Sequence, residues 1–377
     1  MSSATEQHPN PSGVSSWMEI VSGRRAGLVA SGCRAGLSLL EPFYAAVIAL
    51  RNRAFDRGWR AQTRIPVPVI SVGNLTAGGT GKTPTVAWVV RTLQSLGATP
   101  AIISRGYGGR GGTNDEKLLL DQLLPGVPHR LNPNRVSAAR ELTRATGPGR
   151  PSVLVLDDAF QHRQIARDFD LVLVDCLNPW GFGHQLPRGL LREPLQSLRR
   201  ASGVLLTRGD QVDEETRHGI LETIHRWTSA PVLTSHFTPT QLINARGEVR
   251  SLEQLQHQHA AAFCGIGNPI GFRRTLTGCG FAIPEKRFRV YPDHHVYQPA
   301  DFEAIGAWAK SWGAECLLTT HKDLVKIPMA HLSGVPVWAL EIELRFEDHA
   351  SEIQLAELLR NVVADDDSAR GKNRHIP

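Results

Sequence analysis

Residues 72–84 read VGNLTAGGTGKTP and close on Gly81-Lys82-Thr83, the ending of the phosphate-binding pattern G-x-x-x-x-G-K-[ST]. That pattern wants a glycine at position 76. Here the residue is Thr76, and the glycines fall at Gly78 and Gly79. The apolar run IPVPVISVGN before the loop reads as a short buried strand. TPTVAWVVRTLQSLG after it reads as a helix, with Pro84 in the first turn and Gly97 as its stop. Strand, glycine loop and helix supply what a phosphate needs: converging backbone N–H groups and a helix N-terminus. Thr76, Ala77, Gly78, Gly79, Thr80, Gly81, Lys82 and Thr83 are therefore the expected nucleotide-binding residues. Lys82 is expected on the β/γ-phosphates and the Thr83 hydroxyl on magnesium.

Outward from the loop, short apolar strands alternate with helices, which predicts a P-loop NTPase-like α/β fold: a parallel sheet covered by helices on both faces. In VLVLDDAFQHR, Asp157 and Asp158 emerge at the end of such a strand, where ligands bind in these sheets, and one of them is expected on the metal. GVLLTRGD loosely resembles the guanine-reading pattern [NT]-K-x-D, but Arg208 stands where that pattern has lysine, which argues against a GTPase. From about residue 231 the strands and helices read as a smaller C-terminal α/β domain.

Length and composition add limits. A chain of 377 residues suggests two domains, and its formal charge of +6 suits an anionic membrane or nucleic acid. Cys33, Cys176, Cys264, Cys279 and Cys316 form no C-x-x-C pair, so neither a disulfide framework nor a zinc cluster is expected. Residues 1–16 are polar and read as disordered. The apolar stretch 26–50 is interrupted by Arg34, Glu41 and Pro42 and flanked by arginines. It reads either as one or two helices lying on a membrane surface or as a helical pair packed on the protein's own core.

VGNLTAGGTGKTP, SRGYGG, LDDAFQHR and LPRGLLREPL occur in that order, and together they resemble the tetraacyldisaccharide 4'-kinase family over roughly residues 25–345. The resemblance implies transfer of the ATP γ-phosphate to the 4'-hydroxyl of a tetraacyldisaccharide 1-phosphate. The product would be lipid IVA, in lipid A biosynthesis. It also implies ATP and Mg2+, a peripheral or monotopic place on the cytoplasmic face of the bacterial inner membrane, and no nucleic acid or obligate protein partner. The alternative reading is a P-loop ATPase or GTPase that switches a protein partner at the membrane.

By the same resemblance, Asp115 is the general base, Glu116 lies near the metal, and His294 in YPDHHVY pairs with the base. A base is chemically apt, because the sugar hydroxyl loses its proton as it attacks. Tyr107, Arg135, His162, Arg188 and Arg192 are the expected substrate-binding residues, arginine forks suiting a 1-phosphate. Two positions depart from the family pattern: Phe182 replaces the asparagine of a Gly-Asn-Gly turn, and His321 replaces a glutamate. The expected organisation is a disordered 1–16, membrane-associated helices over 17–60, a P-loop kinase domain over 61–230, the smaller domain over 231–364 and a loose tail over 365–377.

Overall fold

The computed structural model describes residues 16–106, 114–144, 147 and 149–373. Two compact units emerge. Among the described residues, the larger comprises those within 20–237 and 344–373, and the smaller 238–343 with 16–19.

After α1 (Ser16–Val21) and α2 (Leu28–Asp56), the larger unit alternates strands and helices: β1 (Val69–Asn74), α3 (Lys82–Ser95), β2 (Pro100–Ser104), α4 (Asp115–Leu123), β3 (His129–Leu131), α5 (Arg135–Arg144), β4 (Val153–Asp157), β5 (Phe169–Asp175), β6 (Gly203–Thr207), α6 (Glu214–His225) and β7 (Val232–Ile243). The sheet order is β7-β6-β5-β1-β4-β2-β3. Every one of these pairs is parallel. Strands β1, β2, β4 and β6 are buried throughout, as strands covered on both faces must be. Ile70 and Val72 pack with Val86, Val89 and Val90 of α3 on one face. Val69, in the alternate phase of the same strand, packs with Ala138 and Leu142 of α5 on the other. Register sets Val72 opposite Asp157, so the phosphate loop and the acidic pair leave neighbouring strands at the same edge of the sheet.

The smaller unit adds β8 (Val249–Arg250), α7 (Glu253–Gln256), β9 (Ala260–Cys264), α8 (Pro269–Gly278), β10 (Phe288–Val290), α9 (Pro299–Ser311), β11 (Cys316–Thr320), α10 (His321–Leu324), β12 (His331–Leu332) and β13 (Val335–Phe346). Its parallel order is β10-β9-β11-β13. Phe272 and Leu276 of α8 cover one face, and Ile305 and Ala309 of α9 the other.

Two sequence expectations change. The chain does not stay in the smaller unit to 364. Helix α11 (His349–Asn373) returns to the larger one, because Leu344, Leu355 and Leu359 are buried in the cluster that holds α3. The segment expected to be loose from 365 is helical to Asn373.

The apolar N-terminal stretch is also one helix rather than an interrupted run. Helix α2 has 29 residues, about 44 Å at 1.5 Å per residue, with Pro42 inside it. By length and composition it could cross a bilayer. Several of its polar residues meet the rest of the larger unit. Glu41 accepts from the Gln185 N–H and pairs with His184, the Tyr44 hydroxyl donates to Arg192 O, Arg51 pairs with Glu193, and Asp56 with Arg163. Arg34 turns back to Arg25 O and Ser31 Oγ. Of the charges that break up the apolar run in sequence, Glu41 is thus on the docking side and Arg34 is held by the preceding segment, while Leu39, Phe43, Val47 and Leu50 form an exposed stripe at helical spacing.

Candidate active site

Thr76 needs no glycine's freedom. It forms an antiparallel bridge with Leu191, Ala77 N–H donates to Leu190 O, and Arg192 N–H donates to Leu75 O. The first half of the loop is therefore a short extended pairing with residues 190–192. Left-handed backbone is required later, at Gly78 (φ 120) and Gly81 (φ 85), the latter immediately before α3. Gly73 serves a different end: a Cβ there would stand 2.7 Å from Phe160 N, where the acidic turn crosses beneath the loop.

Lys82 Nζ lies 3.3 Å from Asn74 Oδ1 and 3.8 Å from Asp158 Oδ1. Asp158, at φ 47, also receives Arg192 Nη1 at 2.7 Å. Burial raises the Asp158 pKa, but Lys82 and Arg192 outweigh it, and the carboxyl titrates below its ordinary range. Asp157 goes the other way. Burial first, then the charges of Glu116 and Asp158, push it up to about 6 against the pull of Lys82 and the Ser104 hydroxyl. Asp157 and Asp158, with Glu116 near enough to act on Asp157, are the acids available to a divalent ion. Mg2+ takes one or two carboxylates with phosphate oxygens and water rather than a protein cage. No cage of three His, Cys, Asp or Glu occurs among the described residues. Thr80 Oγ1 and His162 Nε2 are buried with no hydrogen-bond partner among them either, as polar atoms facing a ligand would be.

A family model described as tetraacyldisaccharide-1-P 4'-kinase matches residues 33–360. The chain belongs to the tetraacyldisaccharide 4'-kinase family. A tetraacyldisaccharide 4'-kinase of Syntrophus aciditrophicus is 38% identical over 84% of this chain and 90% of its own. One from Anaeromyxobacter sp. strain Fw109-5 is 36% identical over 90% of this chain and 96% of its own. A crystal structure of the "apo" form of LpxK from Aquifex aeolicus in complex with ATP superposes with a TM-score of 0.70 at 28% identity, covering 88% of this chain and 99% of that one. Membership decides against the protein-switch reading.

On this tetraacyldisaccharide 4'-kinase scaffold, the expected residues divide. Lys82, Asp157, Asp158 and Arg192 stand together. Asp115 and Glu116 open α4, capped by Asn114, whose side chain accepts from Lys117 N–H. Arg135 is not a free fork. It is 2% exposed, and its guanidinium donates to the carbonyls of Asp157 and Asp158, fixing the turn that carries both acids. Arg188 donates to Val21 O. Burial, then Arg135 and Arg167, push His162 down to about 4, so its ring is neutral at pH 7. Tyr107 lies outside the described residues. In the smaller unit His294 sits at φ 58, its N–H donating to Gly265 O and its Nε2 3.3 Å from Lys322 Nζ.

The kinase site also uses residues the motifs did not flag. Thr207 Oγ1 donates to Thr80 O, and Arg208 Nη2 donates to Gly79 O while pairing with Asp175. The TRGD segment thus braces the phosphate loop from β6. Its position after a sheet strand was the available signal. Gln161, within the DAFQHR motif, donates to Asn74 O and so ties the acidic turn to the end of β1.

Proposed function

We infer that this chain transfers the γ-phosphate of ATP to the 4'-hydroxyl of a tetraacyldisaccharide 1-phosphate, forming lipid IVA. The observation that carries the reading is the joining of Lys82 and the acidic pair at one sheet edge in a chain of this family. Magnesium would be held by Thr83 and the acidic pair Asp157 and Asp158, and would there offset phosphate charge.

Lys82 holds the transferring phosphate, with Asn74 and Asp158 fixing its ammonium. The N–H groups of residues 78–83 surround the phosphates at the start of α3. Asp115, in the first turn of α4, takes the proton of the attacking hydroxyl, and His294 assists it. With Arg135 committed to the acidic turn, the substrate's 1-phosphate falls to other cationic groups. Arg188 and Arg192 remain proposed for it, with Tyr107 against the sugar. Helix α2 rests its apolar stripe in the cytoplasmic face of the inner membrane, where the acyl chains remain while the head group is phosphorylated. The flanking Arg24, Arg25, Arg53, Arg57 and Arg60 suit anionic headgroups.

The test is labelled ATP with the disaccharide 1-phosphate in mixed micelles. Labelled bisphosphorylated lipid is expected from the wild type and none from Lys82→Ala. ATP hydrolysis without labelled lipid would overturn the reading.

A further inference from the structure

A line of hydrogen-bonded side chains leads from the acidic pair to the helix that opens with Asp115. Ser104, the last residue of β2, donates its hydroxyl to Asp157 Oδ2 at 3.0 Å. Its oxygen is also 2.9 Å from Nε2 of His129, the first residue of β3. The other ring nitrogen, Nδ1, is 3.1 Å from Oδ1 of Asp121 on α4, and Asp121 pairs with Lys117. Ser104, His129 and Asp157 are all buried, and only Asp121 and Lys117 reach solvent. A histidine enclosed at the end of an edge strand has no packing reason to be polar. Both its nitrogens lie within hydrogen-bond distance of an oxygen, and the single N–H of the neutral ring serves Ser104 or Asp121 according to tautomer.

We propose that Ser104, His129 and Asp121 are positioning residues: one continuous train that fixes the Asp157 carboxylate and the first turn of α4, with Asp115 and Glu116, at a set spacing. The train holds Oδ2 of Asp157 and takes no bond from Oδ1. At its far end it anchors α4 by Asp121, less than two helical turns beyond Asp115. Glu116, in the same first turn of α4, acts electrostatically on Asp157. Second-shell partners of this kind orient a ligating carboxylate. This rests on the kinase reading, in which Asp157 serves the metal and Asp115 the hydroxyl.

The full-length enzyme carries the test. Expected for His129→Ala is a fall in kcat of about tenfold with the lipid KM within about twofold. Mn2+ binding in the presence of a non-hydrolysable ATP analogue, read by electron paramagnetic resonance, should weaken by about tenfold. His129→Gln keeps a donor and an acceptor at the site and should recover most of both losses. Ser104→Ala should reproduce His129→Ala. In wild type the His129 ring-nitrogen NMR signals should shift when Mg2+ and the ATP analogue are added, and in Ser104→Ala they should not. Thermal melting identifies any variant that has not folded, and the NMR comparison then stands alone. An active wild type with unchanged kcat and Mn2+ affinity in His129→Ala, or ring signals indifferent to nucleotide, would overturn the train. Absence of lipid phosphorylation by the wild type would overturn the kinase reading instead.

Discussion

Phe237 lies against Gly81 so closely that a Cβ at position 81 would stand 1.9 Å from the Phe237 Cζ. The ring is also stacked by Arg208, whose guanidinium is 5.8 Å from its centroid and which holds Gly79 O. Two constraints therefore act on one glycine: a left-handed φ and a contact with an aromatic side chain from β7. Gly81→Ala should abolish detectable ATP binding in isothermal titration calorimetry. Adding Phe237→Ala removes the clash but not the strained φ, so the double variant should recover binding only in part. Full recovery would show that the backbone conformation is unimportant.

Arg135 distinguishes scaffold from substrate ligand. If its guanidinium acts by holding the acidic turn, Arg135→Lys should lower kcat and thermal stability while leaving the lipid KM within about twofold. Loss of its charged hydrogen bonds should cost about 1.5–3 kcal/mol each. A large rise in lipid KM at unchanged kcat would instead put Arg135 on the 1-phosphate.

The exposed stripe of α2 predicts a separable membrane function. Phe43, 72% exposed, and Val47 touch solvent rather than core. The double variant Phe43→Asp/Val47→Asp should lose sedimentation with anionic vesicles yet bind ATP as the wild type does. Retained sedimentation would locate the membrane contact elsewhere.

Acid should weaken the fold through His129. Burial first, then Lys117, push its pKa down to about 4, and Asp121 only partly offsets them. The unfolded ring titrates near 6.5, so the unfolded chain binds the proton more readily. Stability from this group is complete above about pH 6.5 and is lost as pH falls towards about 4, by roughly 3 kcal/mol. Thermal melts should show a steeper fall between pH 6.5 and 4.5 for the wild type than for His129→Gln. Parallel curves would contradict the assignment.

Phe182, where the sequence resemblance leads to the expectation of an asparagine, carries a physical cost in the structure. It sits at φ 65 and ψ 22, between two further left-handed glycines, Gly181 and Gly183. A left-handed conformation costs a bulky residue about 1–2 kcal/mol, and asparagine tolerates it. Phe182→Asn should raise stability in urea denaturation by about 1 kcal/mol. A loss would mean that the ring's packing outweighs its backbone strain.

The central strand, the loop and the acidic pair were legible in the sequence because each is a local pattern: apolar run, glycines, then charge at a strand end. What escaped it depends on partners far along the chain. Thr76 looked like a missing glycine because its bridge to Leu191 lies more than a hundred residues away. Arg135 looked like a free fork because nothing local reveals that its guanidinium is turned onto the carbonyls of the acidic turn. Glu41 and Arg34 looked like interruptions because the groups they meet, at 184–185 and in the preceding turn, are invisible to a hydropathy pattern. His129 gave no motif at all, since its meaning comes from β2 and α4 together.

Residues 190–193 touch everything at once. Their backbone pairs with the phosphate loop, Arg192 grips Asp158, the Tyr44 hydroxyl ends on Arg192 O, and Arg51 reaches Glu193. No hinge or linker separates α2 from the nucleotide loop, only the width of one peptide segment. For an enzyme whose acceptor is tethered by its acyl chains, this fixes an altitude. With α2 placed in the lipid as proposed, the depth at which it settles would set how high the reacting phosphate stands above the acyl chains, making bilayer thickness and headgroup packing variables of turnover.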